Sequence, residues 1–266
     1  MIDSVPPPGD MPVMRLSSLA ALGAAWMAAA CSPGVAGQPA AAETAFPAPD
    51  RPVAEIVSPV WLNEADRDKA RESEQIVRLM GIQPGMVVAD IGAGTGYHTV
   101  RLSPVVGPQG RVYAQDVTPE YLADLERRLE RAELDNITAV LGAPDDPKLP
   151  ARSLDAAILI HMYHEIEQPY AFMHRLAGSL KPGARVGVVD LDRATWLHGT
   201  PRDLLRCEVE AVGYRQIARH ELTGGVGYLA VFQAPTALPE PSAISACQGQ
   251  KPPGGLPGQG PGSKAP

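Results

Sequence analysis

The sequence predicts an α/β fold in which helices cover both faces of a mostly parallel, seven-stranded sheet whose last strand runs antiparallel. Short apolar runs alternate with helix-like stretches between residues 86 and 212, a pattern typical of parallel strands joined by crossover helices. Aromatic residues make up only 5% of the chain, whereas Ala, Leu and Val are abundant. This composition favours buried parallel strands over a β-sandwich.

The first five predicted strands are short apolar runs, as expected for strands that are buried on both faces. They cover residues 86–91, 111–116, 137–142, 154–160 and 185–190. Two further runs, 214–220 and 227–232, are separated by the turn-like residues 221–225. Because so short a connection has no room for a crossover helix, we expect these two strands to pair antiparallel.

The predicted helices begin and end at recognisable residues. A helix starts at Thr118, where an N-cap residue is followed by a proline and then by an acid. Its buried face carries leucines at helical spacing: Leu122, Leu125 and Leu129. Another helix is predicted from Thr200 to Val212, ended by Gly213. A third covers the charged segment from Trp61 to Met80.

The first 31 residues are predicted to be an export leader. Arg15 precedes an uncharged stretch that ends at Ala30 and is shorter than the roughly 20 residues of a bilayer span. The small residues before Cys31 resemble the lipobox of bacterial lipoproteins. The resemblance implies that Cys31 carries a lipid and that this lipid is the one contact with a membrane. It also implies a location in the cell envelope or periplasm. Two alternatives stay open, a signal cut without lipid and an Ala-rich leader on a cytoplasmic protein.

The other predicted segment boundaries of the chain follow from composition. Residues 32–54, rich in Ala and Pro, are expected to form an extended linker, and residues 55–234 the folded domain. Residues 235–266 are dominated by Pro, Gly, Ser and Gln, which predicts a disordered tail. We expect Cys207 to be a partly buried helix residue and Cys247 to lie in unstructured chain.

The charge pattern argues against a nucleic-acid partner. The formal net charge is -7, and no run of Lys or Arg occurs. A protein that binds a phosphate backbone needs clustered cations to displace its counterions.

A glycine-rich turn follows the first predicted strand, in the order Asp90-Ile-Gly-Ala-Gly-Thr-Gly96-Tyr97. Glycines let the backbone approach a ligand closely and present amide groups at a helix N-terminus. A dinucleotide-binding turn has the spacing GxGxxG, but here Tyr97 occupies the third glycine position. Asp90 would also oppose a pyrophosphate, and it favours a ligand that carries an ammonium group.

Residues 61–234 resemble the class I S-adenosylmethionine-dependent methyltransferases, in their ubiquinone/menaquinone-biosynthesis-like "type 11" branch. The resemblance rests on the glycine turn, on Gln115-Asp116 at the end of the second strand, and on residues 180–190 leading into the fifth. It implies a Rossmann-like methyltransferase fold, S-adenosylmethionine as the cofactor and a small-molecule methyl acceptor.

The resemblance implies cofactor contacts for Asp90, Gly92, Gly94, Gly96, Tyr97, Asp116 and Asp145. The glycines would pack against the methionine portion, with Asp90 near its amino end and Asp116 on the ribose. The acid expected on the adenine is displaced to Asp145 or Asp146, and the alternative is that both cap a turn. In the segment 61–80, Arg67 or Arg71 would lie near the cofactor carboxylate, unless these charges form a solvated helix face.

The acceptor side of such a fold lies at the end of the fourth strand. The candidate catalytic residues there are His161, His164 and Glu165, with Tyr163 shaping the pocket. Histidine suits general-base chemistry near neutral pH; the alternative is that one histidine caps the following helix and the other faces solvent. A His-x-x-His-Glu metal site lacks an evident third ligand at a useful spacing, so no metal is predicted.

The predicted function is methyl transfer to a small molecule. The alternative is an exported lipoprotein that keeps the fold as a non-catalytic binding module. Aminopropyl transfer is disfavoured because no acidic polyamine groove follows the fourth strand.

Overall fold

The computed structural model describes residues 45–56 and 63–253. Its seven strands have the order β3-β2-β1-β4-β5-β7-β6. They are β1 Val87–Ile91, β2 Arg111–Asp116, β3 Ile137–Leu141, β4 Leu154–Ile160, β5 Leu180–Asp190, β6 Arg215–Glu221 and β7 Tyr228–Gln233. The first five strands are parallel, and β7 runs antiparallel to both of its neighbours. The predicted fold class is confirmed.

Helices cover both faces of this sheet. They are α1 Glu64–Lys69, α2 Glu72–Met80, α3 Tyr97–Val106, α4 Pro119–Ala132, α5 Pro169–Ser179 and α6 Arg202–Ala211. One apolar cluster joins α5 and α6 to the sheet, a second joins α2 and α3, and a third lies under α4. Leu122, Leu125 and Leu129 form the buried face of α4, as their spacing predicts.

The predicted helix over 61–80 is interrupted. Arg71 adopts a left-handed conformation (φ 53°) between α1 and α2 and thereby turns the chain. Asn63 caps α1 by accepting a hydrogen bond from the Asp66 amide at 2.9 Å. The break lets residues from both short helices face the sheet edge where β1 and β4 end.

The predicted disordered tail is wrong for residues 235–253. Cys207 in α6 and Cys247 form a disulfide across a sequence separation of 40 residues. The Cys247 amide also donates to the Tyr170 hydroxyl at 2.7 Å, and Ile244 is buried in the core. The tail composition suggested disorder, but a covalent bond and a few buried contacts hold this segment against α5 and α6.

The predicted linker is likewise wrong for residues 45–54. Arg51 and Glu208 form an ion pair of 2.9 Å in which both side chains are fully buried. The Ala54 amide donates to the His164 carbonyl at 3.1 Å. The folded unit therefore extends beyond the expected range 55–234 at both ends.

The predicted leader, Cys31 and residues 254–266 lie outside the described residues. Among the helices of the described part of the chain, none combines the length and the apolar character that crossing a bilayer requires.

Candidate active site

The glycine turn forms the floor of a cavity at the carboxyl end of β1. Gly92, Gly94 and Gly96 all have positive φ angles of 67°, 54° and 88°. A β-carbon on Gly92 would lie only 2.7 Å from Met162 Cγ. Glycine at this position therefore allows the loop to pack closely against the end of β4. This backbone geometry is one that L residues with side chains rarely adopt.

The cavity opens above the sheet, between β1, β2 and β4. Its lining comprises Ile56, Glu64, Arg67, Asp90, Gly92, Ala93, Gly94, Thr95, Tyr97, His98, Asp116, Val117, Tyr121, Pro144, Ile160, His161, Met162, Glu165, Ile166, Glu167 and Phe172. Ligands of open parallel sheets bind at this position, in the crevice outside the carboxyl ends of the strands. The structure thus brings most of the sequence-predicted site residues to one cavity.

Gly96 is placed differently from the other two glycines. It is outside the cavity lining, and a β-carbon there would approach Leu125 Cδ1 of α4 to 2.3 Å. We therefore correct its predicted ligand contact: Gly96 starts α3 and allows α4 to pack closely against the loop.

Asp116 ends β2 with its carboxylate at the cavity. The Gly94 amide donates to Oδ2 at 2.8 Å, and the Thr118 amide donates to Oδ1 at 2.9 Å. These two bonds orient the carboxylate, and a carboxylate has about four acceptor positions. Asp116 can therefore accept two further hydrogen bonds, for example from a pair of vicinal hydroxyls.

Asp90 lies at the bottom of the cavity and is only 2% exposed. Burial raises the pKa of this carboxyl to about 6, although the Thr99 hydroxyl, which donates to Oδ2 at 2.6 Å, opposes that shift. Just above that pH the group becomes an ionised carboxylate in a weakly solvated place, which suits a positively charged partner.

The predicted adenine contact of Asp145 is wrong in this structure. Asp145 pairs with Arg175 of α5 and does not line the cavity. Asp146 accepts a hydrogen bond from the Lys148 amide at 2.8 Å and so caps the turn. Of these turn residues Pro144 lines the cavity, whereas both carboxylates bond to groups outside the lining.

A buried polar network closes the cavity from the side of α1 and α2. Its centre is Glu72, whose carboxylate accepts from Arg67 Nε at 2.6 Å and bonds to His161 Nε2 at 2.8 Å. Arg67 Nη2 also lies 2.6 Å from His98 Nε2. Burial acts to raise the pKa of Glu72, but the His161 hydrogen bond and the neighbouring positive charges lower it to about 2.

The network fixes the charge state of its members. Burial and the adjacent Arg67 lower the pKa of His98 well below its usual range, so this ring is neutral and accepts from the guanidinium. The Arg67 guanidinium lies 4.0 Å from the centre of the Tyr97 ring, whose hydroxyl donates to Asp68 at 2.9 Å. Of the two predicted cofactor-side arginines, Arg67 reaches the cavity, whereas Arg71 pairs with Glu74 at the surface.

Two of the three catalytic candidates line the cavity, and the third does not. His161 and Glu165 line the cavity, and His161 has a positive φ of 56° at the end of β4. His164, in the short 3-10 turn Tyr163–Glu165, does not line it, and its Nδ1 bonds to Asp190 Oδ2 at 2.9 Å. Tyr163 is buried in the core under this turn.

Sequence reasoning missed Glu72 and His98. Glu72 lies in the charged segment 61–80, and His98 lies in α3 after the glycine turn. No local spacing links either residue to His161, which is 89 residues from Glu72. Only the chain fold places these residues together.

Comparisons with known proteins agree with this geometry. Residues 88–183 match a family model described as a methyltransferase domain. The protein-L-isoaspartate O-methyltransferase of Aeropyrum pernix is 30% identical over 139 residues, covering 50% of each chain. The ubiquinone/menaquinone biosynthesis C-methyltransferase of Pseudomonas putida is 27% identical over 120 residues, covering 45% of this chain and 47% of the relative. Other matched relatives are named as tRNA and arsenite methyltransferases.

The chain spans half or less of the length of these curated relatives. Among solved structures, a SAM-dependent methyltransferase from Aquifex aeolicus superimposes with a TM-score of 0.54 at 23% identity, covering 65% of this chain and 98% of the other. That likeness concerns the fold. Residues 88–183 thus match a methyltransferase domain, and both the glycine turn and the Asp116 carboxylate lie within the matched range.

Proposed function

We propose that this chain transfers a methyl group from S-adenosylmethionine to a small molecule that has an apolar body and an acidic hydroxyl, amine or carbon. One observation carries the proposal: the glycine turn and Asp116 share a single cavity with His161, so the residues suited to the donor and to the acceptor face the same space.

The donor end fits the cofactor chemically. Asp116 has acceptor positions for the ribose hydroxyls, Gly92 and Gly94 line the part of the cavity proposed for the methionine portion, and Asp90 suits its ammonium group. When bound, the cofactor supplies a methyl group on a positively charged sulfur that leaves without acid assistance. The protein therefore contributes alignment and the exclusion of water.

The acceptor end is largely apolar. Its side chains are Ile56, Ile160, Met162, Ile166 and Phe172. Such a lining favours a ring or hydrocarbon body, with a few polar groups to orient it. This composition and the net charge of -7 support a small-molecule acceptor over a nucleic acid.

His161 is the proposed general base. The Glu72 carboxylate accepts the Nε2 proton, so in the neutral ring the basic lone pair is on Nδ1. Because Glu72 stays ionised down to a pH of about 2, it also stabilises the imidazolium that forms when His161 takes the acceptor proton. This pairing of carboxylate and histidine follows the orienting principle of catalytic triads.

Calorimetry with S-adenosylhomocysteine tests the donor end. We expect binding by the wild-type protein and a loss of about tenfold or more in Asp116→Asn, since that change weakens two charge-assisted bonds to hydroxyls. Asp145→Asn is the matched control, because that acid faces Arg175, and it should bind like wild type. No binding by the wild-type chain would overturn the proposal.

Transfer of a labelled methyl group from S-adenosylmethionine into an extract of host small molecules tests the acceptor end. We expect labelled, solvent-extractable product with the wild type. His161→Gln should keep S-adenosylhomocysteine binding and lose about a hundredfold or more in rate. A chain that binds the cofactor product but labels nothing would favour the non-catalytic binding module instead.

We further propose that the protein works in the cell envelope. The leader-like N-terminus motivates this location, and the Cys207–Cys247 disulfide supports it, because such bonds persist mainly in oxidising compartments. Intact-mass measurement of protein from its native host should show a leader removed before Cys31 and an oxidised cysteine pair. Full-length protein with free thiols in the cytosolic fraction would contradict this location.

A further inference from the structure

A second group of reactive side chains lies beside the cavity, at the 3-10 turn Tyr163–Glu165. His164, Glu165 and His198 each offer one ligand atom, and these atoms lie within 4.8 Å of one another. His164 Nε2 is 3.9 Å from Glu165 Oε1, and the two imidazole rings are nearly perpendicular with centroids 5.5 Å apart. His198 comes from the loop after β5, and so it supplies the third ligand that the sequence spacing did not reveal.

The Asp190 carboxylate orients the His164 ring. Its Nδ1 donates to Asp190 Oδ2 at 2.9 Å, and Thr200 Oγ1 donates to the same oxygen at 2.6 Å. Asp190 is fully buried. With its proton fixed on Nδ1, His164 directs the Nε2 lone pair towards Glu165 and His198. Histidines that ligate metals are typically held by such a carboxylate partner.

His198 carries two signs of a functional position. It has a left-handed backbone (φ 56°), a strained conformation that is enriched at functional sites. Its Nδ1 is buried and has no hydrogen-bond partner among the residues that the structure describes. A buried polar atom without a partner is unfavourable, because it has given up its hydrogen bonds to water.

We propose that His164, Glu165 and His198 bind a divalent transition metal of the Zn²⁺ class. Two imidazoles and one carboxylate are a recognised zinc ligand set, and three protein ligands leave one position open. Imidazole ligands favour Zn²⁺ over Mg²⁺ or Ca²⁺. Tetrahedral zinc ligands lie roughly 3.3 Å apart, so modest side-chain rotations close the present group around an ion.

The site has a consequence for the acceptor. Glu165 also lines the cavity, so an ion held by this group would lie beside the acceptor end and would help to position the acceptor there. This last role rests on the proposed methyl transfer, whereas metal binding itself does not.

The test uses the full, untagged chain with its disulfide intact, stripped with a chelator and titrated with Zn²⁺ by calorimetry. We expect one ion per chain with micromolar or tighter affinity. His198→Gln and Glu165→Gln should each weaken binding by at least about tenfold. His220→Gln, a change to a partly exposed histidine on β6, is the matched control and should bind like wild type.

X-ray absorption of the zinc-loaded wild type should show two imidazole ligands, which keeps the proposal testable if a variant misfolds. No zinc uptake, unchanged uptake in His198→Gln, or a spectrum without two imidazoles would overturn it. S-adenosylhomocysteine binding is measured in the same samples. A protein that binds zinc but not S-adenosylhomocysteine would refute only the proposed function. A protein that binds S-adenosylhomocysteine but not zinc would refute only the metal site.

Discussion

Gly96 has two roles in the glycine turn: it adopts a positive φ, and it leaves room for a neighbouring side chain. Replacing it by alanine, beside a matched control, separates the two. Gly96 has a φ of 88°, and a β-carbon there would lie 2.3 Å from Leu125 Cδ1. Gly85 is the matched control, since its φ is 85° and a β-carbon there would meet nothing within 4 Å. Both substitutions put an L residue at a similar positive φ, but only Gly96→Ala also pushes against a fully buried leucine.

The expected magnitudes follow from these contacts. A left-handed conformation costs an L residue roughly 1–2 kcal/mol, so Gly85→Ala should lower the free energy of unfolding by about that amount. Overpacking of a close-packed core adds about 1–3 kcal/mol. Gly96→Ala should therefore lose about 2–5 kcal/mol in total, and the movement of Leu125 should displace the start of α3 and weaken cofactor binding.

The measurement is urea unfolding of both variants and the wild type, with S-adenosylhomocysteine binding measured alongside. We expect Gly96→Ala to exceed Gly85→Ala by at least about 1 kcal/mol and to be the variant with reduced affinity. Equal losses in both variants would refute the packing argument and leave only backbone strain. Unchanged affinity in Gly96→Ala would show that α3 does not transmit the change to the cavity.

Three further changes have defined outcomes. Removing the disulfide with paired Cys207→Ser and Cys247→Ser changes should lower the free energy of unfolding by about 4 kcal/mol, given its 40-residue separation; denaturant unfolding checks this, and wild type in reductant should match. Glu72 has its pKa lowered to about 2, so it contributes stability that is present above its usual value of 4.5 and is lost as the pH falls towards 2. The difference in unfolding free energy between wild type and Glu72→Gln should thus shrink by about 3 kcal/mol over that range; a pH-independent difference would contradict it. Because the pKa of Asp90 is raised to about 6, S-adenosylhomocysteine affinity should increase about tenfold as the pH rises through that value and the carboxylate ionises. Calorimetry on Asp90→Asn should show no such step.

The strands and the donor end could be predicted because they depend on local patterns. A buried parallel strand needs an apolar run, and a turn of positive φ needs glycine, so residues 86–96 indicate both without any knowledge of the rest of the chain. Asp116 was expected at the site because the end of the second strand resembles the place of the family's ribose-binding acid, and β2 does run parallel to β1.

The incorrect predictions share one physical cause. Composition alone assigned residues 235–253 to a disordered tail, but one disulfide and the burial of Ile244 offset the entropy of ordering them. Asp145 was expected in the cavity from its position after β3, but its side chain follows the nearest available cation, Arg175. Short-range patterns contain no information about either partner.

The amino-acid sequence alone determined the sheet, the glycine turn and the carboxylate that ends β2, because periodicity and backbone sterics act over a few residues. Only the tertiary structure decided the pairing of Glu72 with His161, the separation of His164 from the cavity and the approach of His198 to His164. Those contacts join residues that are far apart in the chain, and they arise from the way the loops at the strand ends pack over the sheet.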